Sequence, residues 1–149
     1  MSNAPNIDNR RARHEYHVLE SVEAGLALTG TEVKAIRAGG ASLTEAYARF
    51  REGEAWLLGM HVPPYRQGSF SNVEPTRPRK LLLHKAEILR LQSRVAEKGL
   101  TIVPLRLYFT RGIAKVLLGL ARGKKVWDKR AAAAKRDVER EIAAHVRRS

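Results

Sequence analysis

The residues best equipped to act on a partner lie together near the end of the chain. Gly119 to Arg130 holds two glycines, five basic residues and one indole, Trp127. Glycine frees the backbone, cations pair with phosphates, and an indole offers a π-face on which any base stacks. These are the properties of a segment that leaves a folded body and lies along RNA. The competing reading is a solvated C-terminal charge run. A second basic group, Arg77-Pro78-Arg79-Lys80, stands before Leu81-Leu82-Leu83-His84. Read as the start of a helix, its three cations either hold a phosphate together with the helix N-terminus or simply lie over apolar surface with their heads in water. Three successive leucines cannot all face one side of a helix, so at least one is expected to be exposed to a base or sugar.

Enzyme chemistry finds little support. His14-Glu15-Tyr16-His17 looks metal-like, but on a predicted strand positions three apart point to opposite faces. Gly119 to Lys125 resembles a phosphate loop, yet it has three residues between its glycines, not four, and no Ser or Thr to hold magnesium. Glu52 and Glu54 flank a turn and read as turn residues, not a catalytic pair. With no cysteine, disulfides, thiolate metal sites and cysteine nucleophiles are excluded. The expectation is a protein that is not an enzyme, with no metal and no cofactor.

A chain of 149 residues with 44% hydrophobic content suits one domain with extensions. The net charge of +13 and a pI near 10.7 call for a polyanionic partner. The charge is uneven. Residues 122–149 carry ten Lys/Arg against four Asp/Glu, a far denser excess than the body has. The first nine residues have no apolar run and no stretch approaches the ~20 apolar residues of a membrane span, so the expected address is the cytoplasm, without membrane.

Three regions are predicted: a flexible N-terminus over 1–8, an RNA-binding body over 9–122 and a basic tail over 123–149. Strands are expected over 14–22, 26–28, 46–51, 54–60, 101–110 and 113–120, with turns at Glu52-Gly53 and Arg111-Gly112. Helices are expected over 29–38, stopped by Gly39-Gly40, and over 81–98, stopped by Gly99. Residues 63–78 hold four prolines and read as loop. In the tail, Val138, Ile142 and Val146 form a narrow stripe on an otherwise charged helix, which is marginal alone in water and expected to become helical on binding. Closing about six short antiparallel strands removes exposed edges. The fold class is therefore mainly β with flanking helices: an OB-like closed antiparallel barrel, two internal helices and a basic tail.

At this point the residues resemble a known family. Asn9-Arg10-Arg11-Ala12-Arg13-His14-Glu15-Tyr16, Glu23-Ala24-Gly25-Leu26-Ala27-Leu28, Gly30-Thr31-Glu32-Val33-Lys34, Arg79-Lys80-Leu81-Leu82-Leu83, and Gly123-Lys124-Lys125 followed by Asp128-Lys129-Arg130 look like the SsrA-binding (SmpB) family of bacteria. Five blocks in order, from Asn9 to Arg130, make the resemblance specific. It implies an OB-type barrel that binds the tRNA-like domain of transfer-messenger RNA (tmRNA) in trans-translation, the rescue of stalled ribosomes. It also implies delivery with elongation factor Tu, and a tail set in the decoding centre and the empty mRNA channel of the ribosome. Matched by position, Asn9, Glu23 and Leu82 are implied RNA contacts, with Arg79 and Lys80 beside them. Lys124, Lys125, Trp127, Asp128, Lys129 and Arg130 are the implied ribosome-binding tail. Trp127 stands where the family usually has another aromatic or a histidine. A monomer is expected. The alternative from composition alone is a small basic ribosomal protein or assembly factor bound to rRNA.

Overall fold

In-out alternation carries Tyr16–Leu26 (β2) and Ile113–Gly123 (β7) side by side as the middle of an antiparallel sheet. The computed structural model describes residues 6–65 and 72–123. Its sheet has seven strands, adding Ile7–Asp8 (β1), Tyr47–Arg51 (β3), Glu54–Leu58 (β4), Arg79–Leu82 (β5) and Thr101–Thr110 (β6). Their order is β1-β6-β7-β2-β5-β4-β3. Both tight hairpins turn through two residues of positive φ, Glu52-Gly53 and Arg111-Gly112. That is the turn whose twist matches the strands it joins.

Among the described residues three helices accompany the sheet: Arg10–Glu15 (α1), Gly30–Arg37 (α2) and Lys85–Lys98 (α3). Thr29 caps α2 through a reciprocal capping box with Glu32, and Gly99 at φ 68° ends α3. Ile36 from α2, and Ile88 and Leu91 from α3, join Leu57, Leu107 and Val116 of the inner sheet face in one core. Each such fully buried side chain contributes about 1.5–3 kcal/mol.

The closed barrel is corrected to an open sheet. The order is linear, ends at β1 and β3, and has no ladder between its ends. β3 packs beside β6 without pairing to it. The edge of β6 it would need is held by the N-terminal segment: Ile7 and Asp8 pair with Leu107 and Arg106, and the Asn9 amide donates to the Leu105 carbonyl at 2.8 Å.

The element count changes too. Residues 14–28, read as two strands with a break, form the end of α1 and one continuous β2 with a bulge between Val18 and Glu20. Leu81 and Leu82 belong to β5, and the helix starts after them at Lys85. β7 runs on to Gly123, so Gly119 lies within the sheet, where an added Cβ would meet Leu105 at 3.0 Å. Pro104 marks a bulge in β6, as its missing N–H requires.

Candidate nucleic-acid interface

The outer face of the sheet follows from the register. Leu82 on β5 stands opposite Gly25 on β2, Gly25 opposite Lys115 on β7, and Lys115 opposite Tyr108 on β6. One step along, Glu23 is opposite Leu117, which is opposite Arg106. Strands lie about 4.8 Å apart, so the row from Leu82 to Tyr108 spans about 14 Å. Leu82 is 52% exposed, while its neighbour Leu81 points inward at 1%. The expected exposed leucine is therefore present, placed by strand alternation and not by a helix. Gly25 gives it room, since a Cβ there would come within 3.2 Å of the Leu82 Cβ.

Glu23 is exposed and accepts a hydrogen bond from the Tyr108 hydroxyl, which reaches across β7. Burial, and then the Glu23 carboxylate, push the Tyr108 phenol up to about 12. The Arg106 guanidinium lies 5.4 Å from the Tyr108 ring centre. A carboxylate held by a phenol still has lone pairs for ribose or base donors. Lys80 also faces outward, on β5 opposite Trp56, and pairs with Glu54 at 3.0 Å.

Two predicted contacts have other work. Asn9 is buried and its side chain is fully engaged. It caps α1 by accepting from the Ala12 amide at 3.2 Å and donates to the carbonyls of Pro104 at 2.8 Å and Leu43 at 3.2 Å. Arg79 is wholly enclosed. Its guanidinium donates to Glu32 at 2.8 Å, and to the carbonyls of Met60 at 2.8 Å, Pro75 at 2.9 Å and Arg77 at 3.1 Å. Arg77 forks onto the same carboxylate at 2.6 and 2.9 Å. Arg77 and Arg79 are therefore the counter-charges of Glu32, and the reading that they hold a phosphate at the start of a helix does not stand.

His14 lies in α1 and His17 in β2, and no group of three His, Asp or Glu suited to a metal occurs among the described residues. Lys124, Lys125, Trp127, Asp128, Lys129 and Arg130, with the tail helix, lie outside the described residues. Sequence reasoning missed Lys115 and Tyr108. The signal for Lys115 was a lone cation in the outward row of an apolar strand, with Ile113 and Leu117 on either side.

An exposed leucine, a phenol-held carboxylate and a lysine, spread on the outer face of an open sheet, mark this chain as a small basic protein built for a polyanionic partner. The family model described as SmpB protein matches residues 6–148. An SsrA-binding protein of Desulforudis audaxviator is 61% identical over 135 residues, 91% of this chain and 88% of that one. An SsrA-binding protein of Thermus thermophilus is 56% identical over 140 residues, 93% of this chain and 97% of that one. A solved structure described as "tmRNA-SmpB: a journey to the center of the bacterial ribosome" contains a chain 59% identical, with a TM-score of 0.69, covering 81% of this chain and 85% of that one. The chain belongs to the SmpB protein family.

Proposed function

We propose that this protein is the tmRNA-binding adaptor of trans-translation. The observation that carries the reading is the match of nearly the whole chain to SsrA-binding proteins. The Leu82–Glu23 face adds a physical reason, because it joins an apolar contact, a reading carboxylate and a cation within reach of one RNA surface. On this reading Leu82, Glu23, Lys80 and Lys115 meet the tRNA-like domain. Asn9 and Arg79 serve the same face from within, by holding α1 and β5 in place. The tail residues Lys124, Lys125, Trp127, Asp128, Lys129 and Arg130 enter the decoding centre and mRNA channel of the ribosome. The protein acts by binding and shape, without chemistry of its own, as a cytoplasmic monomer delivered with tmRNA and elongation factor Tu. No helix among the described residues is long and apolar enough to cross a membrane.

The test compares the full chain with a Leu82→Asp variant and a variant carrying Asp128, Lys129 and Arg130 as alanines. The Leu82 variant loses selective binding to the tRNA-like domain over competitor tRNA. The tail variant keeps that binding and loses tagging on stalled ribosomes. Loss of RNA binding by the tail variant, with Leu82→Asp unaffected, would overturn the division of labour.

A further inference from the structure

The far end of the outer face holds a second arrangement that the Leu82–Glu23 patch does not use. Arg49 on β3 stands opposite Trp56 on β4, and Trp56 opposite Lys80 on β5. One step on, Arg51 stands opposite Glu54. Alternation exposes Tyr47, Arg49 and Arg51 on one side of β3 and turns Ala48 and Phe50 inward. Arg49, Arg51, Glu54 and Trp56 line an open groove of about 820 Å³ with Glu52 and Pro78.

Three observations say what the groove suits. Arg49 and Arg51 have neither a hydrogen bond nor an ion pair among the described residues, whereas Lys80 already neutralises Glu54 at 3.0 Å. Tyr65, Phe109 and Tyr108 each carry a protein cation over the ring at 5.9, 4.8 and 5.4 Å. Trp56 carries none from the described residues, although Arg49 is its cross-strand neighbour. The backbones of Arg49 and Arg51 lie about 6.7 Å apart along an extended strand, so both side chains can reach neighbouring phosphates of one nucleic-acid strand. A half-buried indole lining the groove, beside two cations in line, matches a single-stranded nucleotide: the base stacks and the phosphates pair. Stacking favours RNA over an acidic peptide, since carboxylates would meet the two cations but leave the indole without a flat partner.

We infer that the Arg49–Arg51–Trp56 groove is a second RNA subsite, one that takes an unpaired nucleotide and its flanking phosphates. It goes beyond the Leu82–Glu23 reading and does not rest on it. Glu52, on the turn, is the remaining acidic residue at the rim and sets a limit on affinity.

The chain has two tryptophans, so the full-length Trp127→Phe protein reports on Trp56 alone. Titration with a short oligoriboadenylate should quench its fluorescence saturably. Adding Arg49→Ala and Arg51→Ala should raise the half-saturation concentration about tenfold or more and flatten the salt dependence of log K by about 1.4, the slope of two phosphate contacts on a single strand. Thermal unfolding should be unchanged by the two arginine substitutions, and Glu52→Gln should tighten binding. Absence of quenching, quenching indifferent to the arginines, or equal quenching by an abasic ribose–phosphate oligomer would overturn the subsite. Leu82→Asp separates the two readings. A protein that binds the tRNA-like domain but shows no Trp56 response refutes the groove alone. A protein with Leu82 intact whose Trp56 responds while selective binding of that domain is missing refutes the proposed function alone, whereas Leu82→Asp should lose that binding and keep the Trp56 response.

Discussion

Two carboxylates nine residues apart have opposite fates. Glu32, at the start of α2, is buried, accepts from Arg77, Arg79 and the Thr29 amide, and ties α2 to β5. Glu23, on the outer face of β2, has one described partner, Tyr108, and looks onto solvent. Burial pushes Glu32 up, but the hydrogen bonds from Arg77 and Thr29 and the charge of Arg79 outweigh it and hold the carboxyl below its ordinary range. Burial lowers Arg79 despite its partner. A basic residue next to an outward-facing row can itself be interior. Arg79 and Lys80 are adjacent in sequence, yet the first is interior framework and the second is surface.

The comparison breaks most visibly at Glu32. Glu32→Ala leaves the enclosed Arg79 unpaired and should cost about 3–5 kcal/mol in denaturant unfolding. The acid limb follows the same logic. With its pKa depressed on folding, Glu32 contributes its full stabilisation above the ordinary carboxylate range and loses it as pH falls through the depressed value. Melting temperature should therefore fall on acidification more in the parent than in Glu32→Gln. Asn9→Ala comes next: a lost cap and two buried carbonyls without donors should cost about 1–3 kcal/mol, with RNA affinity of the folded protein nearly unchanged. On the surface side, Leu82→Asp should weaken binding to the tRNA-like domain about tenfold or more while unfolding stays within about 0.5 kcal/mol of the parent. The smallest effect sharpens the Glu23 side. In Glu23→Gln, ultraviolet titration of Tyr108 should show its midpoint dropping from about 12, though not to the ordinary phenol value, because burial is the first cause. Stability from this raised phenol is complete below the ordinary phenol range and is lost as pH rises through about 12.

How far the sequence could be read differs element by element. Both hairpins and α2 were legible because their signals are local: Glu52-Gly53, Arg111-Gly112 and the Gly39-Gly40 stop. β5 was not. Its inward positions are Arg79 and Leu81, and an arginine at a core position breaks the pattern until Glu32, far away in sequence, supplies its charge partner. The open sheet was illegible for a related reason, since two N-terminal residues decide which edge of β6 is free. Of the candidate site, three leucines in a row showed that one is exposed, the family resemblance pointed to Leu82, and strand alternation is what exposes it. The row formed with Gly25, Lys115 and Tyr108 depends on strand register, which local spacing does not contain.

The pairing of β2 with β7 also shapes how the chain comes into being. Tyr16 pairs with Gly123 and Gly25 with Lys115, so the middle of the sheet joins segments about 100 residues apart, a topology that folds slowly. During synthesis at about 5–20 residues per second, β2 is made about 5–20 s before the strand it needs. Through that interval Val18, Val22 and the inward Ala24 stay without Ala121, Leu118 and Val116. The window closes only when Gly123 is free of the ribosome that is making it. The nascent chain therefore depends on uninterrupted translation through its last strand to bury its first long one.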